Sequence, residues 1–331
     1  MAAALAPGRP AVGTGTPFVA GLALAACLLA APSPAAADAA PPTDWTPVQL
    51  PAAQQLDLRA AGNGQRYRLF VAAPAGPVPA AGHPVLYVLD GNAAFPVAAW
   101  LARSVAARRE FTGQVPPLVV GIGYPGDLDF DVPARQRDYT PGAGAGGRPA
   151  DSDPPGEGRA TPFLDVIEHE IKPLIAARHR VDASRQALFG HSFGGLFVLH
   201  TLFTRPQAFS TYLASSPSIW WREQQVLAGL PAMARLAPAQ RPRVQISVGA
   251  LEDQPPRGQR PPELLALLAR RRMVEPARAL AERLRALPGW AERVSLHELA
   301  GEDHGTAWLP AMARGMQLFV DAPTAANGPR P

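Results

Sequence analysis

The chain has 331 residues, 47% of them apolar, and a formal net charge of +4, which is enough chain to bury one large core. Its single cysteine, Cys27, excludes a disulfide framework and any metal site built on cysteines. The basic excess is arginine, with Lys172 the sole lysine. No zinc-knuckle or helix-turn-helix spacing accompanies it, so no nucleic-acid partner is expected.

At the N-terminus, Arg9, an apolar run at 18–31 and Ala35-Ala36-Ala37 read as a cleaved secretory signal over residues 1–37. The run is too short for a good membrane span. Leu24-Ala25-Ala26-Cys27 also fits a lipobox, the minority alternative in which a lipid on Cys27 is the only membrane contact. The apolar residues that continue past Cys27 favour a soluble periplasmic or secreted protein. Residues 38–64 form a Pro/Ala-rich lead-in, a single domain is expected over 65–320, and 321–331 form a tail.

Residues 66–71 alternate as a strand suited to an antiparallel edge. Residues 85–89 are a buried strand ending in Asp90-Gly91-Asn92. The backbone N–H of Gly91 or Asn92 in that turn is placed to meet a developing anion. A helix over 94–110 and a strand over 117–120 follow. The next turn, Gly121-Ile122-Gly123-Tyr124-Pro125-Gly126, matches G-x-G-x-x-G in form, but Pro125 and the absence of an opening helix exclude a dinucleotide site. Asp127, Asp129 and Asp131 make no EF-hand, because Val132 and Asp138 stand where that loop needs Gly and Glu. No cofactor and no metal is expected.

The stretch 141–160 is low-complexity and reads as a mobile loop or a lid. A helix over 163–178 leads to a short buried strand, 186–189, and then to Gly190-His191-Ser192-Phe193-Gly194-Gly195 before an apolar helix. Strand, G-x-S-x-G turn and helix together make a nucleophile elbow, with Ser192 as nucleophile and the Phe193 N–H as one oxyanion donor. Ser215-Ser216-Pro217-Ser218-Ile219-Trp220-Trp221 closes another strand on the same side. The two tryptophans are core packing or a stacking surface, with Trp220 the substrate-side candidate.

In this type of fold the partners follow the serine in the order acid, then histidine. A strand over 243–248 runs into Gly249-Ala250-Leu251-Glu252-Asp253. Glu252 is the expected acid and Asp253 the alternative, since adjacent carboxylates cannot both face one histidine. Residues 262–287 form one or two amphipathic helices broken at Pro276, and their arginines read as a solvated face. Of seven histidines, His83, His169 and His179 precede the elbow, His191 and His200 lie too close to fold back on it, and His297 sits within a strand. His304, in the loop Gly301-Glu302-Asp303-His304-Gly305-Thr306, is the expected base, with Asp303 shaping the loop. A last helix spans 308–320.

Leu-Asp-Gly-Asn at 89–92, Val-Gly-Ile-Gly-Tyr at 120–124, Arg-Asp-Tyr-Thr-Pro at 137–141, the run at 188–200, Ser-Ser-Pro-Ser at 215–218 and Asp-His-Gly at 303–305 recur together. In this set the chain resembles the esterase D-type α/β-hydrolases, and within them the siderophore esterases that act on enterobactin, salmochelin and bacillibactin. The resemblance implies an α/β-hydrolase fold with a mostly parallel central sheet and helices on both faces. It implies Ser192 as nucleophile, His304 as base, and Arg135 as a substrate contact. Some members work with a Ser–His dyad, and the carboxylate at Glu252 makes a full triad available here. The function expected is an exported serine esterase whose small-molecule substrate is the trilactone of a ferric catecholate siderophore. Arg135 and Arg137, with Arg222 as a further candidate, would attract that anion. A general carboxylesterase for feruloyl, acetyl-sugar or xenobiotic esters is the alternative, and a siderophore-binding protein that does not cut is the third reading.

Overall fold

The central strands are apolar on both faces, and that dictates a sheet covered on both sides. A computed structural model describes residues 45–255 and 261–321. In β3 (His83–Leu89), Val85, Tyr87 and Leu89 enter one core cluster while Leu86 and Val88 enter the other. The same alternation divides Leu118, Val120 and Ile122 from Val119 in β4 (Leu118–Gly123). Period-two alternation sends neighbouring side chains to opposite faces. Both are buried because helices lie on each side.

The other strands are β1 (Ala53–Arg59), β2 (Arg66–Ala72), β5 (Val181–His191), β6 (Thr211–Ser215), β7 (Arg243–Gly249) and β8 (Val294–Leu299). They form one eight-stranded sheet in the order β1-β2-β4-β3-β5-β6-β7-β8. The β1/β2 and β2/β4 pairs are antiparallel and all others parallel. The helices are α1 (Gly91–Ala107), α2 (Arg109–Thr112), α3 (Val132–Tyr139), α4 (Ala160–Val166), α5 (Lys172–Arg178), α6 (Phe193–Thr204), α7 (Leu230–Met233), α8 (Pro262–Arg270), α9 (Val274–Arg285) and α10 (Trp308–Val320). Helices α1 and α10 cover one face, and α4, α6 and α9 the other.

Several expectations are corrected. Residues 66–71 do not form the sheet edge, because β1 pairs outside β2 along its whole length. That strand lies in the stretch expected as a lead-in, and the compact unit begins at Gln49. Of the other unit, residues 45–48 are described and carry no helix or strand. The secretory signal and Cys27 lie outside the described residues. The helix expected to break at Pro276 breaks at 271–273 instead. Pro276 sits in the first turn of α9, where its missing N–H has no partner to lose. Helix α3 was not expected; Asp131 caps it by accepting from the Ala134 N–H at 3.0 Å, and Pro133 opens its first turn.

Residues 141–160 close into a folded loop. Pro141 bridges Arg159, and the Asp153 carboxylate accepts from the backbone N–H of Ala143 and Ala150 at 2.8 and 2.7 Å. Arg222 clamps Asp153 from outside at 2.8 Å. The sheet also fixes where chemistry can occur. From β3 the chain crosses to β4 on one side, and from β5 it crosses to β6 on the other. The crevice beyond the C-terminal ends of β3 and β5 is therefore a topological switch point.

Candidate active site

Two turns meet at that crevice: Asp90-Gly91 after β3 and the elbow after β5. Ser192 has φ 61° and ψ −117°, a conformation that costs on the order of 1–3 kcal/mol for a side-chain-bearing residue. Close packing of the flanks enforces it. A Cβ on Gly190 would come within 2.4 Å of the Gly194 carbonyl oxygen, and one on Gly195 within 2.6 Å of that of Ser215. The Ser192 N–H donates to the Ser215 carbonyl at 2.9 Å, and the Ser218 N–H donates to the Ser192 carbonyl at 3.1 Å. The elbow is thereby tied to the end of β6.

Ser192 Oγ lies 3.0 Å from His304 Nε2, and His304 Nδ1 lies 2.6 Å from Glu252 Oε2. A carboxylate only accepts, so the imidazole proton sits on Nδ1 and Nε2 presents its lone pair to the serine hydroxyl. The other Glu252 oxygen accepts from Ser216 Oγ at 2.5 Å and from the Gly249 N–H at 2.6 Å. The Glu252 side chain is fully buried, while that of His304 is 46% exposed. The carboxylate is thus held rigidly below an imidazole that is open to solvent.

Asp253 turns the other way. It accepts from the N–H of Met273 and Val274 at 2.6 and 3.1 Å, and so caps α9. Asp303 accepts from the N–H of Gly305 and Thr306 at 2.9 and 3.1 Å, which folds the loop that carries His304.

The Phe193 N–H opens α6, and those of Gly91 and Asn92 open α1; none has an acceptor among the described residues. Free first-turn N–H groups are what an oxyanion requires. The Asn92 side chain accepts from the Tyr124 N–H at 2.9 Å and donates to the Tyr124 carbonyl at 3.0 Å. This fixes the turn against the end of β4.

The arginines are arranged differently from the expectation. Arg135 grips Asp90 with Nε–Oδ1 2.7 Å and Nη2–Oδ2 3.2 Å, the two side chains being 10% and 4% exposed. Burial opposes the charge of Arg135, but the Asp90 carboxylate outweighs it and raises the guanidinium pKa. Arg137 holds Asp138 in the same two-pronged way, at 2.9 and 2.8 Å. Neither arginine is brought to Ser192 as a free cation. Trp220 is half-buried; its ring centroid lies 5.9 Å from that of Phe193, beside the elbow.

Sequence reasoning missed three groups that the site uses. Ser216, at φ 41°, supports the acid. Ser215 contributes the carbonyl that anchors the elbow, and its Oγ lies 3.1 Å from His191 Nδ1. His191 is too near Ser192 in sequence to be its base, but its ring centroid lies 4.7 Å from that of His304. Burial, then the neighbouring His304 and Arg135, hold its pKa well below the usual histidine range. The only available signal for the two serines was the Ser-Ser-Pro-Ser run at a strand end. Among the described residues no group of three or more His, Cys, Asp or Glu side chains is arranged to hold a metal. A cavity of about 420 Å³ lies under the 141–160 loop, lined in part by Thr161, His200, Phe203 and Gln225 and by no member of the Ser192–His304–Glu252 set.

Comparison with known proteins adds relatives to this geometry. The family model described as "Putative esterase" matches residues 61–316. The chain is 33% identical over 284 residues to the ferri-bacillibactin esterase BesA of Bacillus subtilis, across 84% of this chain and 94% of the relative. It is 36% identical over 297 residues to the siderophore triacetylfusarinine C esterase of Aspergillus fumigatus, across 83% and 96%. Among solved structures, the siderophore hydrolase EstB from Aspergillus nidulans superposes with a TM-score of 0.71 at 33% identity, covering 84% of this chain and 99% of the other.

Proposed function

Because this chain belongs to the Putative esterase family, as a siderophore-esterase-like ester hydrolase with the α/β-hydrolase fold, we propose that it cleaves siderophore esters through a serine acyl-enzyme. The first-choice substrate is the trilactone of a ferric catecholate. The observation that carries the mechanism is the unbroken chain Ser192 Oγ, His304, Glu252 at 3.0 and 2.6 Å. His304 Nε2 takes the hydroxyl proton as Ser192 Oγ bonds to the ester carbonyl carbon. The carbonyl oxygen becomes an anion that rests on the N–H of Phe193 and of the Gly91–Asn92 turn. Collapse breaks the ester C–O bond, and His304 returns the proton to the leaving alkoxide. Water then attacks the acyl-serine, gives its proton to His304, and the second collapse frees the acid and Ser192. Glu252 holds the imidazole in register and balances its charge in both halves.

A second reading, a general carboxylesterase, draws support from the internal pairing of Arg135 and Arg137 with Asp90 and Asp138. With their charges satisfied, neither is a free anion receptor. Purified protein incubated with ferric and metal-free catecholate trilactones, and with feruloyl and acetyl-sugar esters, separates the readings by chromatography of the products. Trilactone opening with the highest kcat/KM of the panel is expected, together with fluorophosphonate labelling of Ser192. Efficient feruloyl or acetyl-sugar cleavage with untouched trilactone overturns the substrate, and binding without cleavage overturns the mechanism. We also propose export, on the signal-like pattern of residues 1–37; a mature N-terminus near Asp38 is the corresponding expectation.

A further inference from the structure

Arg271 lies between α8 and α9, in a run where Arg270 and Arg272 are exposed. It is itself half-buried, with its Cζ 4.4 Å from the centroid of the Trp220 ring. Its Nε is buried and has no acceptor among the described residues, and no carboxylate among them lies within 4.0 Å of it. Asp253, which anchors the same segment, is taken up by the N–H groups of Met273 and Val274. Burial is the one influence on the Arg271 guanidinium, and it works against the charge. The arginines at 68, 135, 137, 205, 222 and 278 all have a carboxylate partner.

A guanidinium that has lost part of its hydration without gaining a counter-ion is unfavourable unless something external supplies one. The position narrows what that is. Trp220 packs on Phe193, the residue after Ser192, and Trp221 meets the same ring edge-on at 5.4 Å. The charge therefore stands at the end of an aromatic surface that begins at the elbow. A guanidinium fork beside indole faces suits a planar aryl group with adjacent anionic oxygens.

We propose that Arg271, stacked on Trp220, is an anion subsite that makes the enzyme prefer the iron-loaded, strongly anionic catecholate ester to its metal-free form. The inference rests on the siderophore reading but is testable apart from it. The readout is the ratio of kcat/KM on the ferric trilactone to kcat/KM on the same trilactone without iron. A ratio cancels any general loss of activity through misfolding. Arg271→Gln is expected to lower it about tenfold, mostly through KM, because charge-assisted contacts remote from the scissile bond contribute binding. Arg272→Gln, which removes the same charge one residue away, should leave the ratio unaltered. A ratio unchanged in Arg271→Gln, or lowered equally by Arg272→Gln, overturns the subsite. If wild-type protein opens neither trilactone, the siderophore reading has failed, and the subsite is then read from p-nitrophenyl adipate monoester against p-nitrophenyl hexanoate. Preference for the anionic ester that Arg271→Gln abolishes upholds it; no preference in wild type, or a preference that Arg271→Gln retains, overturns it.

Discussion

In the proposed mechanism Ser192 is an ordinary alcohol until His304 takes its proton, and His304 is correctly oriented only while Glu252 holds Nδ1. Because the three act as a unit, Ser192→Ala and His304→Ala should each abolish ester hydrolysis, and the double variant should be no worse than either. Glu252→Gln should lower kcat by on the order of 10²–10⁴, since an amide in that place favours the wrong imidazole tautomer. Asp253→Asn should change kcat little, because an asparagine still caps α9. A large loss from Asp253→Asn with a small one from Glu252→Gln would reverse the assignment. Ser192, His304 and the Phe193 N–H were legible in the sequence because local context fixes them: strand, glycine turn, helix, then chain order. The choice between Glu252 and Asp253 was not legible. Two adjacent carboxylates on one loop differ only in which way the chain turns, and the deciding partners, Ser216 and Met273, lie 36 and 20 residues away. His191 was set aside for its nearness to Ser192, yet it touches His304, which arrives from β8.

At the level of elements, the turn after β3 and helix α3 behave as one device. Asp90 is left-handed at φ 53° as the N-cap of α1, its N–H donates to the Tyr139 hydroxyl at 3.1 Å, and its carboxylate is clasped by Arg135. Arg135 also reaches the His191 carbonyl at 3.4 Å. The arginine from α3 therefore joins the Asp90–Asn92 turn to the elbow. Arg135→Ala would strand the Asp90 carboxylate in the interior, and loss of one partner of a buried pair costs about 3–5 kcal/mol. The expected outcome is a lower melting temperature and reduced kcat/KM on neutral p-nitrophenyl esters and siderophores alike. A loss confined to ferric siderophore at unchanged melting temperature would return Arg135 to substrate contact. The three aspartates at 127, 129 and 131 mask helix α3 in the sequence, although Asp131 followed by Pro133 is a helix-start signal. Strand β1 was hidden by the Pro/Ala-rich composition around it, although Gln55-Leu56-Asp57-Leu58-Arg59 alternates as a strand does, and its pairing with β2 fixes it. The break at 271–273 carries no local signal, whereas Pro276 breaks a helix only in its interior and is tolerated in the first turn of α9.

For the molecule as a whole, alternating strands and helices in the sequence indicated one α/β domain, and the resemblance implied a sheet covered on both faces. They could not give the strand order, which depends on crossovers that local patterns do not encode. Nor did they reveal how strongly the interior excludes charge from histidine. His200, 3% exposed on α6, bonds through Nε2 to Thr161 Oγ1 at 3.2 Å, and burial, aided by Arg205, lowers its pKa to about 4. His191 is lowered in the same direction. An unfolded chain takes up a proton on each near pH 6.5, about the ordinary histidine value. The folded protein leaves His200 neutral down to about pH 4. Between those values the unfolded state binds more protons, so stability falls as the medium is acidified. His200 alone accounts for roughly 3 kcal/mol of that loss, at about 1.4 kcal/mol per pH unit. Denaturant unfolding at steps from pH 7.5 to pH 4 should show the decline, and His200→Gln, which keeps a hydrogen-bonding group for Thr161, should remove the share that His200 contributes. The slope that remains belongs to His191, to His83, His179 and His297, whose pKa values burial also lowers, and to the carboxylates. An acid limb of equal steepness in wild type and His200→Gln would mean that His200 is protonated in the folded protein and that its burial does not govern the molecule's tolerance of acid.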